Sequence, residues 1–154
     1  MTRDSPCSRP ATSPADIRAA AQVRRRFRQA QLAMGRALAG VNLTALQYHL
    51  MLEVAAAGPE GLAQRVLAGR LSAPEARISA LVQPLLERGL IRASRSAPDR
   101  RVVRIRLTRS GASLLAQALE AQRQALVELV RSIPSDEMAA MVEWGMKEYL
   151  RLPE

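Results

Sequence analysis

Arg95, Arg100 and Arg101 fall in one polar stretch, Arg95-Ser96-Ala97-Pro98-Asp99-Arg100-Arg101, with Asp99 among them. A guanidinium is a planar fork of donors that fits phosphate oxygens two at a time, so three of them on one turn point to a polyanion. The residue sets that make and break bonds are not present. One histidine, His49, and one cysteine, Cys7, cannot supply a nucleophile–base pair, a zinc set or a disulfide framework. No enzyme, metal or cofactor is expected, and Cys7, with only Arg9 near it, reads as an inert thiol.

The charge of the whole chain supports a polyanionic partner. Its 154 residues carry 23 cations against 14 acids, a net of +9, and all the cations but Lys147 are arginines. Residues 65–109 hold 11 arginines against Glu75, Glu87 and Asp99, a net of +8, while residues 110–154 are net −3. Such a one-sided block is the footprint of a phosphate-facing surface. One Trp, two Tyr and one Phe are too few for the base-stacking platforms of single-strand binders. Duplex DNA is therefore the expected partner. The longest uncharged run, Ala37 to Leu52, carries Asn42, Thr44, Gln47 and His49 and is no membrane span. Arg3, Asp4, Pro6 and Pro10 occupy the place of a signal peptide's apolar stretch, so a cytoplasmic location is expected.

The elements that must position these arginines follow from capping and periodicity. Residues 1–12 read as a flexible tail. Ser13-Pro14-Ala15-Asp16 starts a helix running to about Leu38. Thr44 with Gln47 caps a second, which stops at Gly58-Pro59, and a short helix covers about Ala63 to Arg70. Ser72-Ala73-Pro74-Glu75 reads as a further capping box opening a helix with the apolar stripe Ile78, Leu81, Val82, Leu85 and Leu86, ended by Gly89 and bent by Pro84. Leu90–Ser94 and Val102–Leu107 are strand-like, the latter alternating apolar residues with Arg104 and Arg106. Thr108 caps a long helix to about Arg131, and Ser135 caps a last one to about Leu150. A helix-turn-helix followed by a basic hairpin is a winged helix. The expected fold is mainly α with a small β-hairpin wing, one domain over 13–154.

Rotating 100° per residue away from the apolar stripe puts Ala73, Ala76, Arg77, Ala80 and Gln83 on the outer face of the fourth helix. Arg77 alone among them can fork onto a guanine edge, and the alanines can meet thymine methyls. In the hairpin, Arg101 would enter the minor groove, Asp99 would hold it in place, and Arg95 and Arg100 would sit on phosphates. Arg24, Arg25, Arg26 and Arg28 span more than one helical turn, and the acidic last helices offer them partners.

Leu67-Ala68-x-Arg70-Leu71, Leu86-Glu87-Arg88-Gly89-Leu90-Ile91 and, most specifically, Asp99-Arg100-Arg101 followed by Leu107-Thr108-x-x-Gly111 together resemble the MarR family of winged helix-turn-helix transcription regulators. The resemblance implies a winged helix-turn-helix over about 43–109 and dimerisation helices over about 13–38 and 110–151. It also implies a homodimer on a pseudo-palindromic operator, and a small aromatic or anionic effector that releases DNA. The site expected for that effector is the second helix, where Leu46 and Leu50 flank His49 and Glu53, so that a ring packs on leucine and a carboxylate meets the imidazole. Two functions fit: a repressor of this kind, or an architectural winged-helix nucleic-acid-binding protein with no effector.

Overall fold

The structure is a computed structural model that describes residues 13–95 and 102–149, with side chains as far as Gly145. Helix α1 (Pro14–Gly40) starts where Ser13 and Asp16 cap one another, each side chain accepting from the other's backbone N–H at 3.1 Å. Helix α2 (Ala45–Ala56) starts on the same device, with Thr44 and Gln47 in the two roles. A short 3₁₀ turn over Gly58–Glu60 leads into strand β1 (Leu62–Ala63) and helix α3 (Gln64–Arg70). Helix α4 (Glu75–Glu87), strands β2 (Ile91–Arg95) and β3 (Val103–Leu107), and helices α5 (Arg109–Arg131) and α6 (Ser135–Tyr149) complete the order. Ser135 is the first residue of α6, not its cap, and the Pro134 carbonyl accepts from the Met138 N–H at 2.9 Å.

The fold is mainly helical with one small antiparallel sheet in the order β1-β3-β2. The hairpin β2–β3 was expected. The third strand was not, because two residues carry no alternation to read. Leu62 pairs with Ile105 and Ala63 with Arg104, which ties the loop before α3 to the hairpin.

The core lies under the helix-turn-helix. Leu50, Met51, Leu67, Ile78, Leu85 and Ile105 are completely buried, so α2, α3, α4 and the sheet close on one another. Leu38, Leu115 and Ala118 extend this core into α1 and α5. Beyond that joint the packing thins. Ile17, Phe27, Leu32, Leu119, Val130 and Val142 are all about half exposed, and they belong to α1, α5 and α6.

Candidate nucleic-acid interface

The connection between α3 and α4 is longer than the sequence pattern implied, four residues from Leu71 to Pro74, and it reassigns Ser72. Ser72 takes a left-handed conformation (φ 49°). Its N–H donates to the Gly69 carbonyl and that of Ala73 to the Ala68 carbonyl at 3.0 Å, so both residues close α3. They do not cap α4, whose N-cap is Pro74 with no side-chain bond. Ala73 is half-buried against the core. It therefore leaves the outer face on which it was expected. The physical reason is that an N-cap needs an extended backbone, whereas Ser72 is left-handed in the four-residue turn from Leu71 to Pro74 and its N–H closes α3.

The rest of that face stands as α4 presents it. Ile78, Val82 and Leu85 are buried, and on the opposite side Ala76, Arg77, Ala80 and Gln83 are exposed. Gln83 has its amide engaged, donating to the Glu87 carboxylate at 3.0 Å, which leaves Arg77 as the strong donor. Sequence reasoning missed Ser79. Its hydroxyl accepts from Gln64 at 2.6 Å and donates to the Glu75 carbonyl at 3.1 Å, so it clips the start of α3 to the exposed side of α4. Helix α4 continues past Pro84 to Glu87.

The joint where α4 leads into the wing explains the Leu107-Thr108-x-x-Gly111 spacing. Gly89, at φ 67°, ends α4 in a conformation that glycine adopts without strain. The Thr108 hydroxyl donates to the Gly89 carbonyl at 2.7 Å and accepts from the Gly111 N–H at 3.0 Å. The Thr108 N–H donates to the Leu90 carbonyl at 3.0 Å. A Cβ on Gly111 would lie 1.9 Å from that same carbonyl oxygen, so only glycine lets α5 start this close to β2. One threonine and one glycine thus fix the exit of α4, the base of the wing and the start of α5 relative to each other.

Of the four wing residues singled out, Arg95 is exposed at the end of β2, while Asp99, Arg100 and Arg101 lie outside the described residues. Arg104 and Arg106 turn to the side of the sheet away from Ile91 and Ile105, beside Arg92 and Ser94.

The four residues expected to bind an effector do not form one wall. Leu50 is fully buried, so it belongs to the core and offers no ring contact. The Glu53 carboxylate accepts from Arg70 at 2.8 Å across to α3, because an arginine satisfies a carboxylate better than a neighbouring imidazole does. Leu46 is half-buried and His49 is exposed, its ring tilted against that of Tyr48.

The basic first helix does meet the acidic last one. Arg26 binds the Glu137 carboxylate through two nitrogens, at 2.8 and 2.6 Å, with both side chains about one-fifth exposed. These bonds hold the Glu137 carboxyl below the usual carboxylate range. On α5, Arg123 and Gln124 bring that of Glu120 down to about 2. Among the described residues, no helix is long and apolar enough to cross a membrane.

This arrangement can be set beside known proteins. Residues 40–101 match the model of the MarR family. No curated protein sequence matches the chain. Among solved structures, the chain is similar to the YusO protein of Bacillus subtilis, with 18% identity and a TM-score of 0.73 over 91% of this chain and 99% of that one. It is similar to a MarR transcription factor of Planctomyces limnophilus at 28% identity and a TM-score of 0.67, covering 88% of this chain and 96% of that one. It is also similar to a mutant MarR of E. coli complexed with operator DNA, at 20% identity and a TM-score of 0.64, covering 87% and 94%. The sequence match to the MarR family falls on residues 40–101, and the winged-helix fold shared with these solved structures extends through the flanking helices.

Proposed function

We propose that this chain is a transcription regulator that binds duplex DNA sequence-specifically as a homodimer and represses by occupying an operator of twofold symmetry. The observation that carries the reading is the exposed face of α4, with Arg77 rising from a row of alanines over a fully buried opposite side. A bare helix face with one forked donor suits entry into a major groove, where Arg77 would take a guanine edge. The wing arginines Arg95, Arg100 and Arg101, with Asp99 steadying Arg101, would hold the flanking backbone and minor groove.

The homodimer rests on the half-exposed apolar residues of α1, α5 and α6, a patch of the kind that marks a protein–protein interface. Pairing there would space two α4 helices for successive major grooves, ~34–36 Å apart. A single compact unit over 13–154 with a winged part at about 43–109 fits the same picture. The likeness to a MarR mutant complexed with operator DNA supports the DNA partner. Release of that complex by a small aromatic acid, with His49 of α2 as its carboxylate partner, is the finer part of the proposal.

Footprinting on the DNA upstream of the chain's own gene tests the reading. A short protected segment with twofold symmetry is expected of a regulator. Diffuse protection without a preferred site would overturn it in favour of an architectural protein.

A further inference from the structure

The clip between α3 and α4 fixes which atoms of Gln64 remain free. Its Nε2 donates to the Ser79 hydroxyl at 2.6 Å, and that hydroxyl donates to the Glu75 carbonyl at 3.1 Å. A backbone carbonyl can only accept, so the single Ser79 proton is committed to Glu75 and only lone pairs face Gln64. The Gln64 amide must therefore turn its nitrogen to Ser79. Its second N–H and its Oε1 are left over, and among the described residues neither has a partner. The N-cap of α3 is Ala63, with no side-chain bond, so the Gln64 side chain does not serve the helix start.

An amide with one donor and its acceptor free has the valences for a bidentate contact with N7 and N6 of adenine. Holding that amide in advance removes rotamer freedom it would otherwise lose on binding. Its place suits the contact. At 100° per residue, Arg77 and Ser79 lie about 80° to either side of the line through Ala76 and Ala80, and all four are exposed. Arg77 thus flanks the alanines on one side, and the Gln64 amide, tied to Ser79, flanks them on the other. Gln83 carries another amide, but it is bound to the Glu87 carboxylate at 3.0 Å, and DNA phosphates repel that charge.

We infer that Gln64, a residue of α3, reads an adenine in the major groove on the flank of α4 opposite Arg77, and that Ser79 is the positioning residue that aims its amide. The inference rests on the proposed sequence-specific binding of duplex DNA. It adds a second base contact to that reading, from outside the helix that carries Arg77.

Selection from a pool of random-sequence duplexes, with the bound fraction sequenced, gives the base preference at each position. It is run on the full chain as wild type, Arg77→Ala, Gln64→Ala, Ser79→Ala and Ser79→Thr, and circular dichroism checks that each is folded. Gln64→Ala should lose about ten-fold of the preference for one adenine per half-site and leave the preference lost in Arg77→Ala unchanged. Ser79→Ala should weaken the preference for that same adenine, and combining it with Gln64→Ala should cost no more than Gln64→Ala alone. Ser79→Thr, which keeps the hydroxyl, should retain the preference. Base preferences that all survive Gln64→Ala overturn the inference. So does a loss in Ser79→Ala spread evenly over all positions, the mark of a clip that only holds α3 to α4. In both cases a symmetric sequence selected by wild type leaves the DNA reading standing and removes only the role of Gln64. If wild type selects no sequence, both fall.

Discussion

Replacing Gly111 by alanine puts a methyl carbon 1.9 Å from the Leu90 carbonyl oxygen, 2.8 Å from its carbonyl carbon and 3.3 Å from its Cα. All three are backbone atoms, so no side-chain rotation relieves the clash, and either α5 or β2 must move. Overpacking of this kind costs ~1–3 kcal/mol and more where backbone must shift. Alanine recovers less than ~1 kcal/mol of helix propensity in the first turn of α5. A net loss of ~2–3 kcal/mol follows, which for a chain of this size lowers Tm by about 5–10 °C. Gly69 in α3 has nothing within 4 Å of the same position, and Gly69→Ala should leave Tm unchanged or raise it slightly. Thr108→Val acts at the same joint by removing the donor to Gly89 and the cap on Gly111, at ~1–2 kcal/mol. Because both changes loosen one contact, the double variant should lose less than the sum of the two. Thermal denaturation followed by circular dichroism reads the four variants against wild type. A Gly111→Ala protein melting within about 1 °C of wild type would refute the close approach of α5 to β2 and the account of the joint built on it.

Three further outcomes are expected. Ser72→Gly should stabilise the chain by ~0.5–1 kcal/mol in chemical denaturation, because Ser72 occupies a left-handed conformation that costs a residue with a Cβ about that much; a loss of stability would mean that its hydroxyl caps α4 after all. Arg26 holds the Glu137 carboxyl low by hydrogen bonding, so the pair's contribution is present above the ordinary glutamate value of ~4.3 and fades as pH falls through the lower folded value. Glu137→Gln should therefore be less stable than wild type at pH 7, the gap closing below about pH 4, and a gap that does not vary with pH would contradict this. In sedimentation at micromolar concentration the chain should run as a dimer, and Phe27→Glu on the half-exposed apolar side of α1 should shift it toward monomer; a wild-type monomer would remove the interface.

What the sequence reveals and what it withholds divide along the range of the interactions. The caps at Ser13, Thr44 and Thr108 are legible because donor and acceptor lie three residues apart, and the buried side of α4 is legible from the 3.6-residue period that places Ile78, Val82 and Leu85 together. Ser72 misleads because the same local pattern can close α3 or open α4, and only packing across the turn decides. Strand β1 is invisible because Leu62 and Ala63 become a strand solely by pairing with residues some forty positions later. Charge blocks predict that the first and last helices attract one another, yet the choice of Arg26 and Glu137 needs their crossing. Glu53 is the converse case: His49, one turn away, is the partner visible in the sequence, while Arg70, the partner in the fold, arrives on another helix. The pairing of Arg92 with Arg106 depends on hairpin register, which alternation alone leaves open.

The exposed face of α4 is proposed to read bases through Arg77. It is tested most directly by fluorescence-anisotropy titration of the footprinted site and its single-base-pair variants with wild type, Arg77→Ala and Arg101→Ala. Arg77→Ala should lose ~1–3 kcal/mol of discrimination at one base pair in each half-site. Arg101→Ala should weaken all sequences alike and lower the salt slope by about one unit. Equal, sequence-independent losses in both variants would contradict it and assign Arg77 to the phosphate backbone.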